Sequence, residues 1–270
     1  MDYSVLMSVY AKEKPEYLRM SIESMLQQTC PTNDFVLVCD GKLTEELYAV
    51  IDFFCEKNPE LFQIIQLEKN GGLSNALNIG LQKCKNEIVA RMDSDDVSYP
   101  YRCQMQLKVM QEQAYDIVGG NVDEFVDTPD IIQSKRIVPH THKEIVQYSK
   151  RRNPFNHPAV MYRKSKVLAV GGYKEFPLFE DYYLWIKMIQ NGSRTYNIQT
   201  SLVCMRVGAG LYTRRGGFRY VKKIVRFRYA LLRERYINIG DFLIAVIGHS
   251  AVSLVPNGVR RFVYQRILRK

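Results

Sequence analysis

The chain contains no Cys-x-x-Cys pair, and its six cysteines (Cys30, Cys39, Cys55, Cys84, Cys103 and Cys204) stand far apart with no histidines at ligand spacing. That argues against a zinc site and reads as reduced, mostly buried thiols of a cytosolic compartment. No apolar run is long enough to span a bilayer unaided. The longest, Phe242 to Val255, is 14 residues and includes His249, Ser250 and Ser253. A signal peptide is not expected either, because Asp2 precedes only a six-residue apolar run, Val5 to Tyr10, interrupted by Ser8; that run reads as a strand. There is no internal repeat, no low-complexity segment and no Gly-Lys-Ser/Thr phosphate loop. With 46% hydrophobic and 24% charged residues over 270 positions, the composition is that of an ordinary globular chain.

Acidic residues are scarce in one place. From Arg214 to Lys270 there are 14 Lys/Arg and 2 Asp/Glu, against 24 and 26 from Met1 to Thr213. The overall charge of +10 therefore belongs to the C-terminal segment, and its explanation must be local to it.

The first half alternates short apolar runs with helical patterns, the signature of βαβ units and a parallel sheet. Strands are expected at Tyr3 to Val9, Phe35 to Cys39, Leu61 to Leu67, Glu87 to Met92 and Asp116 to Phe125. Helices are expected at Pro15 to Gln28, Glu45 to Glu56, Leu73 to Cys84 and Pro100 to Gln113. Residues Thr128 to Pro158, with four prolines, read as an irregular half. Beyond them come a helix at Glu180 to Gln190, a strand at Leu202 to Val207, and two or three helices after Gly217, broken at Asn238-Ile239-Gly240 and Pro256-Asn257-Gly258.

Chemistry concentrates at strand ends. Arg91-Met92-Asp93-Ser94-Asp95-Asp96 places three carboxylates within four residues directly after an apolar run, and Asp40-Gly41 ends the second strand. Carboxyl ends of strands are where open α/β sheets bind ligands. Like charges this close repel and raise one another's pKa, so water or a cation must offset them. Oxygen ligands without nearby thiolate or imidazole suit Mg²⁺ or Mn²⁺, and such ions keep positions open for phosphate oxygens. A solvated Asp/Ser turn is the bland alternative.

The ordered set Met7-Ser8-Val9-Tyr10, Asp40-Gly41, Asn70-Gly71-Gly72-Leu73-Ser74-Asn75-Ala76-Leu77-Asn78-Ile79-Gly80 and Arg91 to Asp96, with Pro100 and Arg102 following, resembles glycosyltransferase family 2. The resemblance continues through Asn156-His157-Pro158, Gly171-Gly172-Tyr173 and Glu180-Asp181-Tyr182-Tyr183-Leu184-Trp185, covering roughly residues 3 to 207. It implies an inverting enzyme of GT-A fold, a Rossmann-like α/β nucleotide-diphospho-sugar transferase. In particular the chain is similar to the bacterial subgroup that extends capsule, exopolysaccharide or O-antigen units on a lipid carrier.

Carried over residue by residue, the resemblance implies that Asp40 binds the uracil of a UDP-sugar and that Asp93 and Asp95 form the D-x-D pair. Asp95 would touch the metal directly, Asp93 the ribose or the metal shell, and Asp96 the donor sugar. Arg91 is a counter-charge for the cluster or for the diphosphate. Ser8, Tyr10, Asn70, Gly72 and Asn78 are assigned to the donor as well, although helix packing explains the glycines of that loop equally well. Inverting transfer needs a base for the acceptor hydroxyl, and Asp181 is assigned that role with Glu180 as its orienting neighbour; a helix-dipole acid is the plainer reading of both. His157 is either a packed core histidine or, as the resemblance implies, stands beside the acceptor or the diphosphate; Asn156 is placed beside the acceptor, and Trp185 either packs its helix or faces the acceptor sugar. His140 and His142, lacking a third ligand, are surface residues.

The basic segment admits three readings: a grip on nucleic acid, a solvated helix face, or a membrane-surface helix. The apolar Phe242 to Val255, flanked by Arg214-Arg215, Arg219, Lys222-Lys223, Arg226 and Arg228 and by Arg260-Arg261 to Arg266, favours an anionic membrane surface over nucleic acid. The expectation is a domain over residues 1–213 and a basic amphipathic membrane-associating segment over 214–270, peripheral to the cytoplasmic face of the bacterial inner membrane. Its activity would be metal-dependent transfer of a hexose (glucose, galactose or N-acetylhexosamine) from UDP to a lipid diphosphate-linked saccharide. The rivals are a non-catalytic basic binding protein and a sugar nucleotidyltransferase. The second needs a glycine-rich, Arg-containing loop after the first strand, where this chain reads Tyr10-Ala11-Lys12-Glu13-Lys14.

Overall fold

A computed structural model describes residues 1–208 and 216–255. The expected domain boundary at 213/214, Arg214-Arg215, the Pro256-Asn257-Gly258 break and the closing Arg260 to Arg266 lie outside the described residues. The strands are β1 (Tyr3–Val9), β2 (Asp34–Cys39), β3 (Phe62–Gln66), β4 (Ile88–Asp93), β5 (Val97–Ser98), β6 (Ile117–Phe125), β7 (Ile132–Arg136), β8 (Met161–Arg163) and β9 (Thr195–Arg206). The helices are α1 (Pro15–Leu26), α2 (Glu45–Lys57), α3 (Leu73–Lys83), α4 (Arg102–Gln113), α5 (His142–Ser149), α6 (Lys164–Ala169), α7 (Glu180–Gln190), α8 (Gly217–Arg233) and α9 (Ile239–Leu254).

The nine strands form one sheet in the order β3-β2-β1-β4-β8-β6-β9-β5, with β7 paired to β6. Strands β3, β2, β1 and β4 are parallel, and β8 runs antiparallel to both β4 and β6. Every residue of β2 is buried and β1 is buried but for Ser8, as continuous apolar runs covered on both faces require. One face packs Val5, Met7, Phe35 and Leu37 against α1, α2 and α4; the other packs Leu6, Val36, Val38 and Val89 against α3 and α7. Pro15 opens α1 where its missing N–H is harmless, and the Thr44 side chain caps α2 by accepting from the Leu47 N–H.

Residues 128–158 are more regular than their prolines suggest. They hold β7 and α5, and α5 opens on a capping box in which Thr141 and Glu144 satisfy each other's backbone N–H groups. The strand expected at Leu202 begins seven residues earlier, at Thr195, because it runs beside β6 over that strand's whole length.

A third apolar cluster joins the C-terminal helices to the sheet domain. Ile224, Phe227 and Leu231 of α8 pack on Phe179, Tyr182 and Ile186 at and within α7, the Phe179 and Phe227 rings stacking at 4.7 Å. Arg228 is buried beneath them. Ile224, Phe227 and Leu231 of α8 are thus spent on protein; Phe218, Val225 and Tyr229 stay exposed on that helix, and a longer outward apolar stripe falls on α9, where Ile239, Leu243, Ile244, Ile247 and Leu254 are all exposed.

Candidate active site

Register brings the expected residues to one edge. Ser8 of β1 stands beside Asp93 of β4, and Val9 beside Cys39, so the ends of β1, β2 and β4 open side by side. There Tyr10, Ala11, Lys12, Asp40, Gly41, Lys42 and Asn70 line a pocket of about 490 Å³. Asp40 is already engaged: its Oδ1 accepts from the Gly71 N–H at 2.7 Å and its Oδ2 from the Gly72 N–H at 3.0 Å. The Asn70 side chain donates to the Asp40 carbonyl at 3.2 Å. The carboxylate thereby fixes the loop that opens α3, and its remaining lone pairs border the pocket. Gly41 permits this approach, since its φ is +86° and a Cβ there would lie 2.7 Å from the Asn70 nitrogen.

The acidic triplet is a cluster in space, with one oxygen from each of Asp93, Asp95 and Asp96 within 4.8 Å of the others. Buried Arg91 pairs with Asp93. Burial, then the charges of Asp93 and Glu13, push the Asp95 carboxyl up to about 7, and burial, then the charges of Asp95 and Asp93, raises Asp96 well above the ordinary carboxyl range. Asp96 Oδ1 accepts from the Arg206 N–H at 2.7 Å, while its buried Oδ2 has no partner. Three carboxylates, one bonded guanidinium and an orphaned buried oxygen fit a hard divalent cation in chemistry and in charge.

Asp181 stands near the start of α7, half-buried, its Oδ2 accepting from the Asn153 side chain at 2.6 Å. Burial raises its carboxyl above the ordinary range, opposed by Asn153, the Tyr182 N–H, Arg136 and Arg91. Glu180 is also raised by burial, and its buried Oε2 has no partner. The approach to α7 is strained at Leu178, whose φ is +78°. His157 meets the Tyr173 hydroxyl at 3.1 Å, and burial followed by the Arg91 charge holds its imidazole well below the usual range, hence neutral. Arg91 is therefore common to the two halves of the site: it is bonded to Asp93, and its field reaches Asp181 and His157.

Three expected contacts have other employment. Trp185 and Asn156 are fully buried, so neither presents an atom to an acceptor; Trp185 packs edge-on to Phe155, and Asn156 donates to the Gly120 carbonyl at 2.9 Å. Asn78 pairs with both the N–H and the carbonyl of Tyr173 at 2.8 Å, tying α3 to the loop after α6. His140 and His142 bond separately to Tyr196 and Thr195. Conversely, Glu13, which accepts from Ser94, and Arg206, which is stacked 3.6 Å over Tyr17, carried no local signal linking them to the triplet.

The parallel-to-mixed sheet, its strand-end carboxylates beside a pocket and the half-buried acid at the start of α7 have the arrangement of a GT-A glycosyltransferase. The family model for Glycosyl transferase family 2 matches residues 4–171, and the chain belongs to that family. It is 37% identical to the UDP-Gal:alpha-D-GlcNAc-diphosphoundecaprenol beta-1,3-galactosyltransferase of Escherichia coli, covering 99% of this chain and 97% of the relative. It is 35% identical to the amylovoran biosynthesis glycosyltransferase AmsE of Erwinia amylovora, covering 98% of each. Among solved structures, the Pyrobaculum calidifontis mannosyltransferase PcManGT with GDP-Man and Mn²⁺ superposes with a TM-score of 0.66 at 14% identity, over 92% of this chain and 68% of that one. Staphylococcus aureus TarS 1-349 with UDP-GlcNAc also gives 0.66, at 18% identity over 86% and 67%.

Proposed function

We propose that this glycosyltransferase is inverting and metal-dependent, and that it moves a hexose from a UDP-sugar to a lipid diphosphate-linked saccharide during bacterial surface polysaccharide synthesis. The observation that carries the reading is the pairing of two acidic centres of different kind: the three-carboxylate cluster at the end of β4, and the raised Asp181 held by Asn153. Asp95 and Asp93 would hold Mn²⁺ or Mg²⁺, which when bound acts as a Lewis acid toward a diphosphate leaving group. The pocket beside Asp40, Tyr10 and Asn70 takes the uridine, with Ser8 and Gly72 at its edge, and the diphosphate and the sugar are assigned to the side of Arg91 and Asp96, whose own side chains are buried. Asp181, with Glu180 beside it, receives the proton of the acceptor hydroxyl as that oxygen attacks the anomeric carbon. Its raised pKa brings it closer to the operating pH, which favours a general base. Neutral His157 borders the acceptor.

The similarity to the E. coli galactosyltransferase, over nearly the full length of both chains, makes galactose the first donor sugar to test and a GlcNAc-diphospholipid the first acceptor. Attachment to an anionic membrane surface is supported by the exposed apolar stripe of α9 and by Arg219, Lys222, Lys223, Arg226 and Arg233 on the outward side of α8. No helix of the described residues is long and apolar enough to cross a bilayer. The test is turnover of a panel of UDP-sugars on that acceptor, with and without Mn²⁺. Asp95→Ala should lose Mn²⁺-dependent UDP binding; binding equal to the parent would overturn the assignment of the cluster.

A further inference from the structure

We propose that Asn153 is the positioning residue for Asp181, and that the C-terminal hairpin α8–α9 holds Asn153 in place by gripping the loop that leads to it; this rests on the reading of Asp181 as the base. The loop runs from Ser149 at the end of α5 to Asn153, and the hairpin takes hold of three of its residues in succession. The Tyr236 and Ser149 hydroxyls are 2.5 Å apart. Arg228 donates through Nη1 to the Lys150 carbonyl at 3.0 Å and through Nη2 to the Arg151 carbonyl. Asp241, at the start of α9, accepts from Arg151 Nε at 2.9 Å. Tyr182 of α7 closes the bracket, donating to the Ser149 carbonyl at 2.7 Å and accepting from Arg228 at 3.2 Å.

The far end of the loop is equally determined. The Asn153 carbonyl accepts from Arg136 at 3.1 Å, its Oδ1 accepts from the Phe155 N–H at 3.3 Å, and its Nδ2 is left to donate to Asp181 Oδ2 at 2.6 Å. Because Oδ1 is tied down, the amide has one orientation, and the carboxylate opposite it one favoured rotamer.

Arg228 is the telling residue. It is 1% exposed; its guanidinium donates to two backbone carbonyls and a hydroxyl and lies over the Tyr182 and Phe227 rings, and among the described residues no carboxylate pairs with it. Burying a cation on neutral acceptors is costly where a leucine would pack, so the geometry it imposes on Lys150 and Arg151 is the gain that offsets it. A hairpin that served only to attach the protein to a surface would have no use for this grip.

The groups facing Asp181 are Asn153 from the loop, Arg136 from β7, Arg91 from β4, Tyr173 after α6 and Glu180 on its own helix. Removing the Asn153 donor takes away a bond that favours the ionised carboxyl, so the acidic limb of the kcat profile should move to higher pH. In full-length protein with UDP-galactose, Mn²⁺ and a GlcNAc-diphospholipid in detergent, Asn153→Ala should lower kcat about ten- to hundredfold with the donor KM unchanged. Asn153→Asp, of the same volume, cannot donate once ionised and should displace the limb at least as far. Arg228→Lys keeps the charge without the two-pronged hold and should give a smaller loss in the same direction, with the UDP thermal shift retained as the check on folding. The proposal is overturned if Asp181→Asn is inactive while Asn153→Ala and Asn153→Asp keep both kcat and the parental pH profile. Retained turnover in Asp181→Asn would instead remove the base assignment itself, a separable result.

Discussion

The aspartate cluster at the end of β4 and the α8–α9 hairpin depart from ordinary burial in opposite directions. One hides charge: Asp96 and Arg91 are buried, and Asp95 is raised to about 7 by that burial and by its acidic neighbours. The other shows hydrocarbon: α9 turns Ile239, Leu243, Ile244, Ile247 and Leu254 outward. Each arrangement is unfavourable for the chain in water alone, and the proposed function assigns each a partner that would relieve it, a cation at the first and a lipid surface at the second. The contrast also separates two sides of the hairpin. The face of α8 toward α7 is structural, whereas the outward face of α9 carries no part of the core.

The largest effect should come from the acid that neither partner relieves. Asp181→Asn is expected to keep the fold and UDP affinity while turnover falls by a factor of about 10² to 10⁴, the usual worth of a general base. Next comes the inner side of the hairpin. Phe227→Ala removes a fully buried ring stacked on Phe179 and should lower stability by about 3–5 kcal/mol in chemical denaturation. An unchanged midpoint would mean that α8 is not docked. For the same reason a chain ending near Gly216 should expose Phe179, Tyr182 and Ile186 and lose turnover even on soluble acceptors.

On the outer side the expectation reverses. Ile247→Ser should leave stability within about 0.5 kcal/mol of the parent, yet weaken binding to anionic vesicles about ten- to hundredfold, the worth of one buried aliphatic side chain. High salt should release the parent only in part, since it screens the α8 cations and not the α9 stripe. Equal affinity for nucleic acid under the same conditions would contradict the lipid assignment. The smallest effect concerns the cluster: a protonated carboxyl cannot ligate, so Mn²⁺ affinity should rise with pH up to about 7 and level off above it, by up to about tenfold per unit for the one proton displaced from Asp95. Flat affinity across that range would place the ion elsewhere.

What could be read from the residues followed the range of the interactions. Strands β1 to β4 are apolar runs punctuated by local signals, and Asp40 and Asp93 to Asp96 stand where those runs end, so both the sheet and the metal-type cluster were legible. The Thr141-x-x-Glu144 capping box was also local, but the prolines around it drew attention to irregularity and α5 was overlooked. Arg206 reaches Asp96 across 110 positions, and Asn153 reaches Asp181 across 28. Neither carries a pattern of its own, since both depend on where the sheet and the loops have already gone. Trp185 shows the converse: of its two readings, packing its helix or facing an acceptor sugar, the structure has the first, because helical periodicity turns it into the core behind Asp181.

The most direct measurement is the anomeric configuration of the product formed from a UDP-hexose and a lipid diphosphate-linked acceptor by the parent protein in Mn²⁺, with Asp181→Asn alongside. The expected result is a glycoside of configuration opposite to the donor's from the parent, and almost none from the variant. A product that keeps the donor's configuration, or equal product from both proteins, would contradict a single displacement assisted by Asp181.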